Sequence, residues 1–400
     1  MRAMGWFRFF DIDQKETNNL ILPSKLTLAV LQSRTDERPS ANCQLMIQDP
    51  LIRILLLPFS LLYGLGISIR DFLYRQKVLI SVKFDLPVIS VGNLTVGGAG
   101  KTPHIEHIIR LLRPYLNVAT LSRGYRRKTQ GHQIVQYWSK ADQVGDEPLM
   151  FKRKYPDVYA TVNENRALGI PEMLQHAPET QVVLLDDAFQ HRGVSPGLNI
   201  LLTEYRRPFT RDWLLPSGRL REWKSAYRRA DVIVVTKCPD DLHDDERAKM
   251  LAELKPFPHQ QVFFSCYRYL RPYYALNPNY LIDLQEDMSV LMVCAIANSD
   301  YLRDWLETQV GTVRVKEYED HHYFNEGDLI DIEKQFEQMP GSKKIILTTE
   351  KDAMRLELLR DTLAEKKLPI MVLPVEVQFL GQDGQRFDKL VKEFLMNFKV

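Results

Sequence analysis

The sequence predicts an α/β protein in which a mostly parallel β-sheet carries helices on both faces. Beyond residue 87, short apolar runs such as VVLLD and VIVVT alternate with helical patterns, and strands that are apolar throughout are typical of a covered parallel sheet. A second alternating series begins near residue 288 and predicts a smaller C-terminal α/β domain. A charge-free apolar segment ahead of the first strand predicts an N-terminal helix at a membrane interface.

The composition is that of a folded globular protein without a strongly basic surface. Lys and Arg number 53, Asp and Glu number 51, and the net charge is +2. This balance argues against a nucleic-acid-binding protein, and we infer neither a nucleic-acid partner nor an obligate protein partner. The four cysteines lie far apart without CxxC or zinc-type spacing, so we expect reduced thiols in a cytosolic chain.

Changes in composition along the 400 residues predict five segments. Residues 1–45 show no steady period and lack the order of a secretory signal, so we interpret them as an extension or a mis-assigned start. Residues 46–80 would form the interfacial helix, and residues 81–266 would form the main sheet domain. A Tyr- and Pro-rich linker over residues 267–287 would lead to the C-terminal domain, residues 288–400.

The segment from Ile54 to Ile69 contains sixteen residues without a charge, and Arg53 and Arg70 flank it. A helix that crosses a membrane needs about 20 apolar residues. Helix-breaking residues interrupt the run at Pro58, Gly64 and Gly66. An apolar face with basic flanks suits a helix that lies in the lipid interface, which we favour over burial against the protein's own core and over a membrane crossing.

A glycine-rich loop follows the first predicted strand. It reads TVGGAGKT and comprises Thr95, Val96, Gly97, Gly98, Ala99, Gly100, Lys101 and Thr102. In the general motif GxxxxGK[ST], backbone N–H groups cradle phosphate oxygens, the Lys contacts the outer phosphates and the hydroxyl binds Mg²⁺. Thr95 replaces the leading Gly, but an apolar strand precedes the loop and an amphipathic helix follows it, as the motif requires. We therefore predict a P-loop NTPase-like site for ATP and Mg²⁺ rather than a turn that binds nothing.

Two carboxylates end a second apolar strand, QVVLLDD, at Asp186 and Asp187. Phosphate-binding loops use an acidic residue at the end of a neighbouring strand to hold Mg²⁺ or its waters, and charges are rarely buried unpaired. We expect at least one of the two carboxylates to serve the metal. A salt bridge or a helix cap is the alternative.

Basic clusters follow the second strand of this domain and a later loop. The first contains Arg123 and Arg126, and the second contains Arg221 beside Glu222. Each cluster alone is more often a solvated charge run than a site, whereas open α/β sheets bind ligands beyond the ends of their strands. Together the two clusters suit an anionic ligand.

Acidic and histidine residues at two further places provide candidates for proton transfer. Asp146 and Glu147 precede an apolar helix in VGDEPLMF, where they can cap the helix or accept the proton of an attacking hydroxyl. His321 and His322 follow Asp320 without further ligands in a metal-binding spacing. A histidine that assists a carboxylate base is the alternative to a metal pair.

With these motifs in this order, the chain resembles the tetraacyldisaccharide 4'-kinases, the lipid A 4'-kinases of Gram-negative bacteria. The matching stretches are SVGNLTVGGAGKTP, LSRGYRR, VGDEPLMF, LLDDAFQHR, LPSGRLRE, VIVVTK, EDHHYF and LTTEKDAMRL. The resemblance implies MgATP-dependent phosphorylation of the 4'-hydroxyl of a tetraacylated glucosamine disaccharide 1-phosphate, which forms lipid IVA. It also implies a peripheral enzyme on the cytoplasmic face of the bacterial inner membrane, with the membrane surface and this lipid as partners.

The resemblance also implies roles for individual residues. Asp146 would be the catalytic carboxylate, His321 from the C-terminal domain its partner, and Lys101 the cation on the transferred phosphoryl group. The metal ligands would be Thr102, Asp186 and Asp187. Contacts to phosphates or substrate would come from Arg123, Arg126, Glu147, Arg221 and Glu222. Because the catalytic pair lies in two predicted domains, we expect closure of the linker to assemble the site.

Two other classes of protein share parts of this pattern. Partitioning ATPases carry a Lys immediately before the two glycines, where this chain has Val96. A GTPase that assists metal insertion needs the guanine motif [NT]KxD, but Pro239 stands where its Asp belongs after Thr236 and Lys237. Both comparisons favour the ATP-dependent kinase.

Overall fold

The structure, a computed structural model, describes residues 50–399. The predicted extension over residues 1–45 lies outside the described residues. The helices are α1 (Pro50–Arg75), α2 (Lys101–Leu112), α3 (Ala141–Val144), α4 (Asp146–Lys154), α5 (Arg166–His176), α6 (Asp244–Leu254), α7 (Asp300–Leu306), α8 (Glu326–Glu337), α9 (Glu350–Leu356), α10 (Arg360–Lys366) and α11 (Asp383–Met396). Short 3₁₀ helices occupy Phe209–Arg211, Lys224–Arg229 and Glu357–Leu359.

The strands of the described residues form two sheets. They are β1 (Val88–Asn93), β2 (Val118–Ser122), β3 (Gln133–Ile134), β4 (Tyr159–Val162), β5 (Val182–Asp186), β6 (Leu198–Glu204), β7 (Val232–Thr236), β8 (Gln261–Tyr269), β9 (Tyr273–Tyr274), β10 (Asn277–Leu281), β11 (Ser289–Cys294), β12 (Thr312–Glu317), β13 (Lys344–Thr349), β14 (Ile370–Leu373) and β15 (Val375–Phe379). The main sheet has the order β15-β8-β7-β6-β1-β5-β2-β4-β3, and the second sheet has the order β10-β9-β14-β13-β11-β12.

The main sheet is parallel except at its edges. Only β3 and β15 run antiparallel to their neighbours in this sheet. β1 lies between β5 and β6, because the chain builds β2 and β4 on one side of β1 and then β6 to β8 on the other. In open α/β sheets, such a reversal of strand order opens a crevice at the carboxyl ends of the strands. The loops that follow β1, β2 and β5 meet at this crevice.

Helices cover both faces of the main sheet, which confirms the predicted fold class. On one face, Ile108 of α2 and Phe387 of α11 are buried in the same apolar cluster as the strands. On the other face, Ile170 of α5 and Met250 of α6 are buried. Every residue of β1, β5 and β7 is buried, as expected for apolar strands between two helical layers.

The chain joins the two sheets differently from the predicted division. Residues 267–287 are not a plain linker, because β8 continues in the main sheet and β9 and β10 extend the edge of the second sheet. Residues 375–399 do not stay with the predicted C-terminal domain 288–400, because β15 pairs with β8 and α11 packs on the main core. Local pattern identifies a strand and an amphipathic helix here but cannot say which distant sheet edge they join.

α1 is one continuous helix of 26 residues that passes through Pro58, Gly64 and Gly66, so the expected interruption is wrong. By length and composition it is sufficient to cross a membrane. Burial against the protein core is also wrong, since 11% of its apolar window is buried. The large side chains exposed along it are Leu51, Ile54, Leu55, Phe59, Leu61, Leu62, Leu65, Ile69 and Phe72. This apolar surface indicates an interaction with the membrane.

Polar contacts fasten the opposite face of α1 to the protein. The Tyr63 hydroxyl donates to the Arg221 carbonyl oxygen at 3.0 Å, and Arg70 forms an ion pair with the buried Glu222. The Trp223 indole N–H donates to the Gly64 carbonyl oxygen at 3.1 Å. The helix therefore presents its apolar side chains outward and its polar ones inward, the reverse of a helix on a water-exposed surface.

We predict that Gly64→Ala loosens α1 whereas Gly66→Ala tightens it. A methyl group at position 64 would overlap the Trp223 ring and lie 3.0 Å from Leu214, while nothing lies within 4 Å of one at position 66. Overpacking costs about 1–3 kcal/mol, and an unhindered glycine-to-alanine change in a helix gains roughly 0.5–1 kcal/mol. Thermal unfolding in detergent micelles, followed by tryptophan fluorescence, should give midpoints that move in opposite directions. A rise for both variants would contradict the close packing at Gly64.

Candidate active site

The phosphate loop lies between β1 and α2 at the carboxyl edge of the main sheet. Gly100 ends it with a φ of 86°, and a Cβ there would lie 2.7 Å from the Tyr267 hydroxyl, so glycine is required on both counts. α2 begins at Lys101, and the unpaired backbone N–H groups of its first turn suit a phosphate. The Thr236 hydroxyl donates to the Ala99 carbonyl oxygen at 3.0 Å and holds the loop on β7.

Neighbours on both sides enclose the first half of this loop. The Val96 N–H donates to the Arg219 carbonyl oxygen at 2.8 Å, so the segment that leads to Arg221 lies along it. On the other side, a Cβ built on Gly98 would lie 3.7 Å from Ala297, which follows β11 of the second sheet. The predicted nucleotide loop thus lies between the two sheets.

Cations cluster around Asp187 at the end of β5. Arg221 donates to both carboxylate oxygens of Asp187 at 2.8 and 3.0 Å, and Lys101 Nζ lies 3.6 Å from Asp187 Oδ1. Burial alone would raise the pKa of Asp187, but Arg221 and Lys101 outweigh burial and hold this pKa well below its usual range. Asn93, at the end of β1, accepts from both cations, at 2.6 Å from Arg221 and 3.2 Å from Lys101.

Asp186 differs from its neighbour because no cation pairs with its carboxylate in the described part of the chain. The Ser122 hydroxyl donates to Oδ2 at 3.3 Å, while the buried Oδ1 has no partner. Arg166 reaches only the backbone oxygen of Asp186, at 3.0 Å. Burial, reinforced by the charges of Glu147 and Asp187, raises the pKa of Asp186 to about 8. A cation beside Oδ1 would satisfy this group.

Glu147 joins the phosphate loop to the second sheet. Its Oε1 accepts a hydrogen bond from the Thr102 hydroxyl at 3.0 Å and forms an ion pair with Lys351 of α9. Burial alone would raise the pKa of Glu147, but Lys351 outweighs it and lowers this pKa. Burial likewise opposes the charge of Lys351, yet Glu147 and Asp146 raise the pKa of the lysine.

Asp146 and His321 meet across the two sheets. His321 Nδ1 lies 2.9 Å from Asp146 Oδ2, and Arg355 of α9 lies 3.5 Å from the same oxygen. Burial alone would raise the pKa of Asp146, but His321 and Arg355 hold it well below its usual range. Burial would lower the pKa of His321, but Asp146 raises it. Each partner of the pair thus favours the charged form of the other.

Non-glycine residues of this region adopt left-handed backbone conformations. Arg126, Asp187 and His321 have φ values of 55°, 45° and 59°. Such conformations are uncommon outside glycine and persist only where the surroundings enforce them, which happens most often at functional sites.

The remaining predicted contact residues divide into two groups. Arg126 lies at the site, where its guanidinium donates to the His321 carbonyl oxygen at 3.0 Å. Burial lowers the pKa of Arg166 beside Asp186, and the charge of Arg123 lowers it further. Glu222 faces away from the phosphate loop, because its carboxylate pairs with Arg70 of α1 and with Arg229 at 2.5 Å.

Sequence reasoning missed several residues that the structure places here. They are Asn93, Ser122, Arg166, Lys351 and Arg355. A polar residue that ends an otherwise apolar strand is a usable signal for the first two. For Lys351 and Arg355 the usable signal was the stretch LTTEKDAMRL, which matches the family and contains both residues.

A magnesium ion fits these residues. Within residues 50–399, no three His, Cys, Asp or Glu side chains are grouped as ligands of a metal ion. Mg²⁺ does not need such a group, because it is usually bound through one or two carboxylates, with substrate phosphates and waters in the other positions. The unpaired Oδ1 of Asp186 and the hydroxyl of Thr102 provide oxygen donors of this kind.

Comparison with known proteins decides the family. The sequence model described as LpxK, tetraacyldisaccharide-1-P 4'-kinase, matches residues 52–395. The chain belongs to the tetraacyldisaccharide-1-P 4'-kinase family. The tetraacyldisaccharide 4'-kinase of Phocaeicola vulgatus is 40% identical over 346 residues, which cover 85% of this chain and 94% of that protein. The corresponding protein of Parabacteroides distasonis is 41% identical over 355 residues, 86% of this chain and 96% of the relative.

A solved structure of the same family agrees with the fold. The crystal structure of LpxK from Aquifex aeolicus in complex with ATP is similar with a TM-score of 0.66 and 28% sequence identity, and the match covers 86% of this chain and 99% of that one. Membership in this kinase family favours the kinase over the partitioning ATPase and the metal-insertion GTPase.

We predict that Asp146→Asn lowers the pKa of His321. In the wild type, Asp146 is the main group that opposes burial at this imidazole, and the asparagine amide carries no charge. Histidine side-chain NMR titration should show a His321 pKa above the unperturbed value of about 6.5 in the wild type and a lower pKa in the variant. His322, which pairs with Asp328 at 2.8 Å, is the internal reference. An unchanged His321 pKa would mean that the two side chains are not coupled.

Proposed function

We propose that this chain transfers the γ-phosphoryl group of ATP to the 4'-hydroxyl of a tetraacylated glucosamine disaccharide 1-phosphate, which forms lipid IVA in lipid A biosynthesis. The observation that carries the proposal is the Asp146–His321 pair, joined at 2.9 Å beside the phosphate loop. The names of relatives that match more than four-fifths of the chain support the reaction, and the ATP in the Aquifex aeolicus structure supports the donor.

The catalytic pair would handle the proton of the acceptor hydroxyl. Asp146 accepts this proton as the sugar oxygen bonds to the γ-phosphorus and the bond between that phosphorus and the bridging oxygen of ADP breaks. His321, as an imidazolium, keeps the Asp146 carboxylate ionised and oriented until that moment. Arg126, which donates to the backbone oxygen of His321, and Arg355 fix the position of the pair.

Basic residues of the loop region would bind the phosphates. Lys101 and Arg221 converge on Asn93 and Asp187. Lys101 can exchange these partners for phosphate oxygens that become more negative in the transition state, and Arg221 adds its positive charge beside them while it stays on Asp187. Arg123 and Arg126 lie at the neighbouring strand end, where an anionic group of the lipid can be bound.

Thr102 and Asp186 would hold Mg²⁺, and Asp187 would act through a water, since Arg221 already occupies both of its oxygens. When bound, the ion neutralises charge on the β- and γ-phosphates. Glu147 accepts a hydrogen bond from the Thr102 hydroxyl and so leaves the hydroxyl lone pairs available.

The membrane surface would be the second partner. The apolar side chains exposed on α1 would enter the lipid while its opposite face stays on the protein, so the chain would be a peripheral, monotopic protein. Because ATP is a cytoplasmic substrate, the site would face the cytoplasm at the inner membrane.

A transfer assay with variants tests the reaction. Labelled γ-phosphate should pass from ATP to the lipid disaccharide 1-phosphate in mixed micelles, and Lys101→Ala should abolish transfer. Asp146→Asn and His321→Ala should each lower kcat by roughly 10²–10⁴-fold, the usual contribution of a positioned base. His322→Ala is the matched control and should stay close to wild type. Label that appears only as free phosphate would overturn the kinase reaction.

Vesicle binding tests the role of α1. Leu62 and Leu65, which are 67% and 57% exposed, should bind lipid, so the double change to Glu should reduce sedimentation with anionic vesicles by more than about tenfold. Leu168→Glu, at an equally exposed position on α5, should bind as wild type. Equal losses for both variants, or no loss for either, would contradict an interfacial α1. Release by an alkaline wash would agree with a peripheral protein, and retention would indicate a crossing helix.

A further inference from the structure

We propose that Lys351 is a positioning residue of the kinase site: through its ion pair with Glu147, it holds the carboxylate that orients the Thr102 hydroxyl for a magnesium ion. The inference rests on the proposed use of Thr102 as a metal ligand. Neither the phosphate-loop motif nor the acidic motifs include this lysine, which comes from the second sheet.

Glu147 Oε1 connects the Thr102 hydroxyl to Lys351. Glu147 Oε1 accepts from the Thr102 hydroxyl at 3.0 Å and is also the atom that pairs with Lys351. A threonine hydroxyl has one proton and two lone pairs, so the bond to Glu147 fixes the proton and directs a lone pair elsewhere. Groups that orient metal ligands in this way change metal affinity by about 10–100-fold when they are removed.

Glu147 needs a cation to stay in place. It directly follows Asp146 in the first turn of α4, so two carboxylates are adjacent there. Lys101, the lysine of the phosphate loop, is occupied by Asn93 and Asp187. Lys351 is therefore the cation that balances Glu147, and an unpaired Glu147 would be repelled by its neighbours or would lose its charge.

Lys351 is held in this position by its own helix. α9 packs against α4, whose first turn contains Glu147. Its first residue, Glu350, pairs with Lys154 at the far end of α4 at 2.9 Å, and Arg355 donates to the Ala295 carbonyl oxygen at 3.0 Å. These contacts fix the backbone of Lys351 from both ends, as a positioning residue requires.

Metal binding provides the test, measured apart from catalysis. Electron paramagnetic resonance should be used to titrate Mn²⁺ into the full chain saturated with a non-hydrolysable ATP analogue. Lys351→Met should weaken Mn²⁺ binding by about tenfold, and Lys351→Arg should restore most of the affinity. Glu147→Gln should weaken binding similarly, and the double variant should be no weaker than Glu147→Gln alone, because the two residues act in series.

Two further measurements separate positioning from other roles. Binding of the analogue in EDTA should be unchanged in Lys351→Met. In the kinase assay, this variant should need about tenfold more Mg²⁺ for half-maximal rate, with kcat largely recovered at saturating Mg²⁺. The control is Lys366→Met, which removes an ion pair with Glu333 at 2.5 Å between two helices of the second sheet. This variant should change neither the binding of the analogue in EDTA nor the Mg²⁺ concentration for half-maximal rate.

Several outcomes would overturn the inference. The inference fails if Lys351→Met leaves the Mn²⁺ affinity unchanged, or if the losses of the two single variants add up in the double variant. It also fails if Lys351→Met weakens binding of the analogue equally in EDTA, because that would indicate a direct contact between Lys351 and a phosphate. If Lys351→Met does not fold, Lys351→Gln replaces it in all of these comparisons, and Lys351→Arg remains the variant that should restore the affinity. Because Mn²⁺ binding needs no lipid, a wild-type chain that fails to phosphorylate the disaccharide would refute the proposed function and leave this test intact.

Discussion

Crowding of negative charge at one edge of the main sheet is the constraint on which the rest of this structure depends. The carboxylates that converge there are Asp146, Glu147, Asp186 and Asp187. Buried carboxylates cannot all stay ionised without cations beside them. The chain meets this requirement with different cations for three of the four. Burial, reinforced by Glu147 and Asp187, raises the pKa of the fourth, Asp186, to about 8, since no cation of the described residues pairs with its side chain. The Asp186 carboxylate therefore makes the site suitable for a divalent cation that binds together with a polyphosphate.

The cations come from both sheets, so the site forms only where the two sheets meet. The main sheet supplies Lys101 and Arg221, whereas the second sheet supplies His321, Lys351 and Arg355. Among the described residues, the cations that pair with the two carboxylates in the first turn of α4 all come from the second sheet. The chain crosses between the sheets after β8 and again before β15. Two adjacent connections limit the ways in which the sheets can move relative to one another, so any opening of the site follows a restricted path.

Local patterns predicted the parts of the fold that depend on local physics. The parallel sheet, the phosphate loop and the position of Asp186 at a strand end follow from hydrophobic periodicity and turn chemistry, and the family resemblance supplied the partnership of Asp146 with His321. Long-range pairing was beyond such patterns: VEVQF reads as a strand, but nothing within it specifies β8 as its neighbour. Lys351 was missed for the same reason, since an ion pair across 204 positions leaves no periodic trace. Pro58 misled in the other direction: it lies inside α1, where a proline removes one backbone hydrogen bond, yet the helix continues through it.

Arg221 and Glu222 connect the phosphate loop to α1. Arg221 donates its guanidinium to Asn93 and Asp187 and accepts on its backbone oxygen from Tyr63 of α1. Glu222 directs its carboxylate the other way, to Arg70 of the same helix. Two adjacent residues thus contact the phosphate loop on one side and α1 on the other. This connection between the phosphate loop and α1 is short, buried and made of charged contacts, so it resists stretching better than a long loop would. The height of the phosphate loop above the apolar face of α1 is thereby fixed, which is what an enzyme needs when its acceptor hydroxyl is held at a set depth by acyl chains in the bilayer.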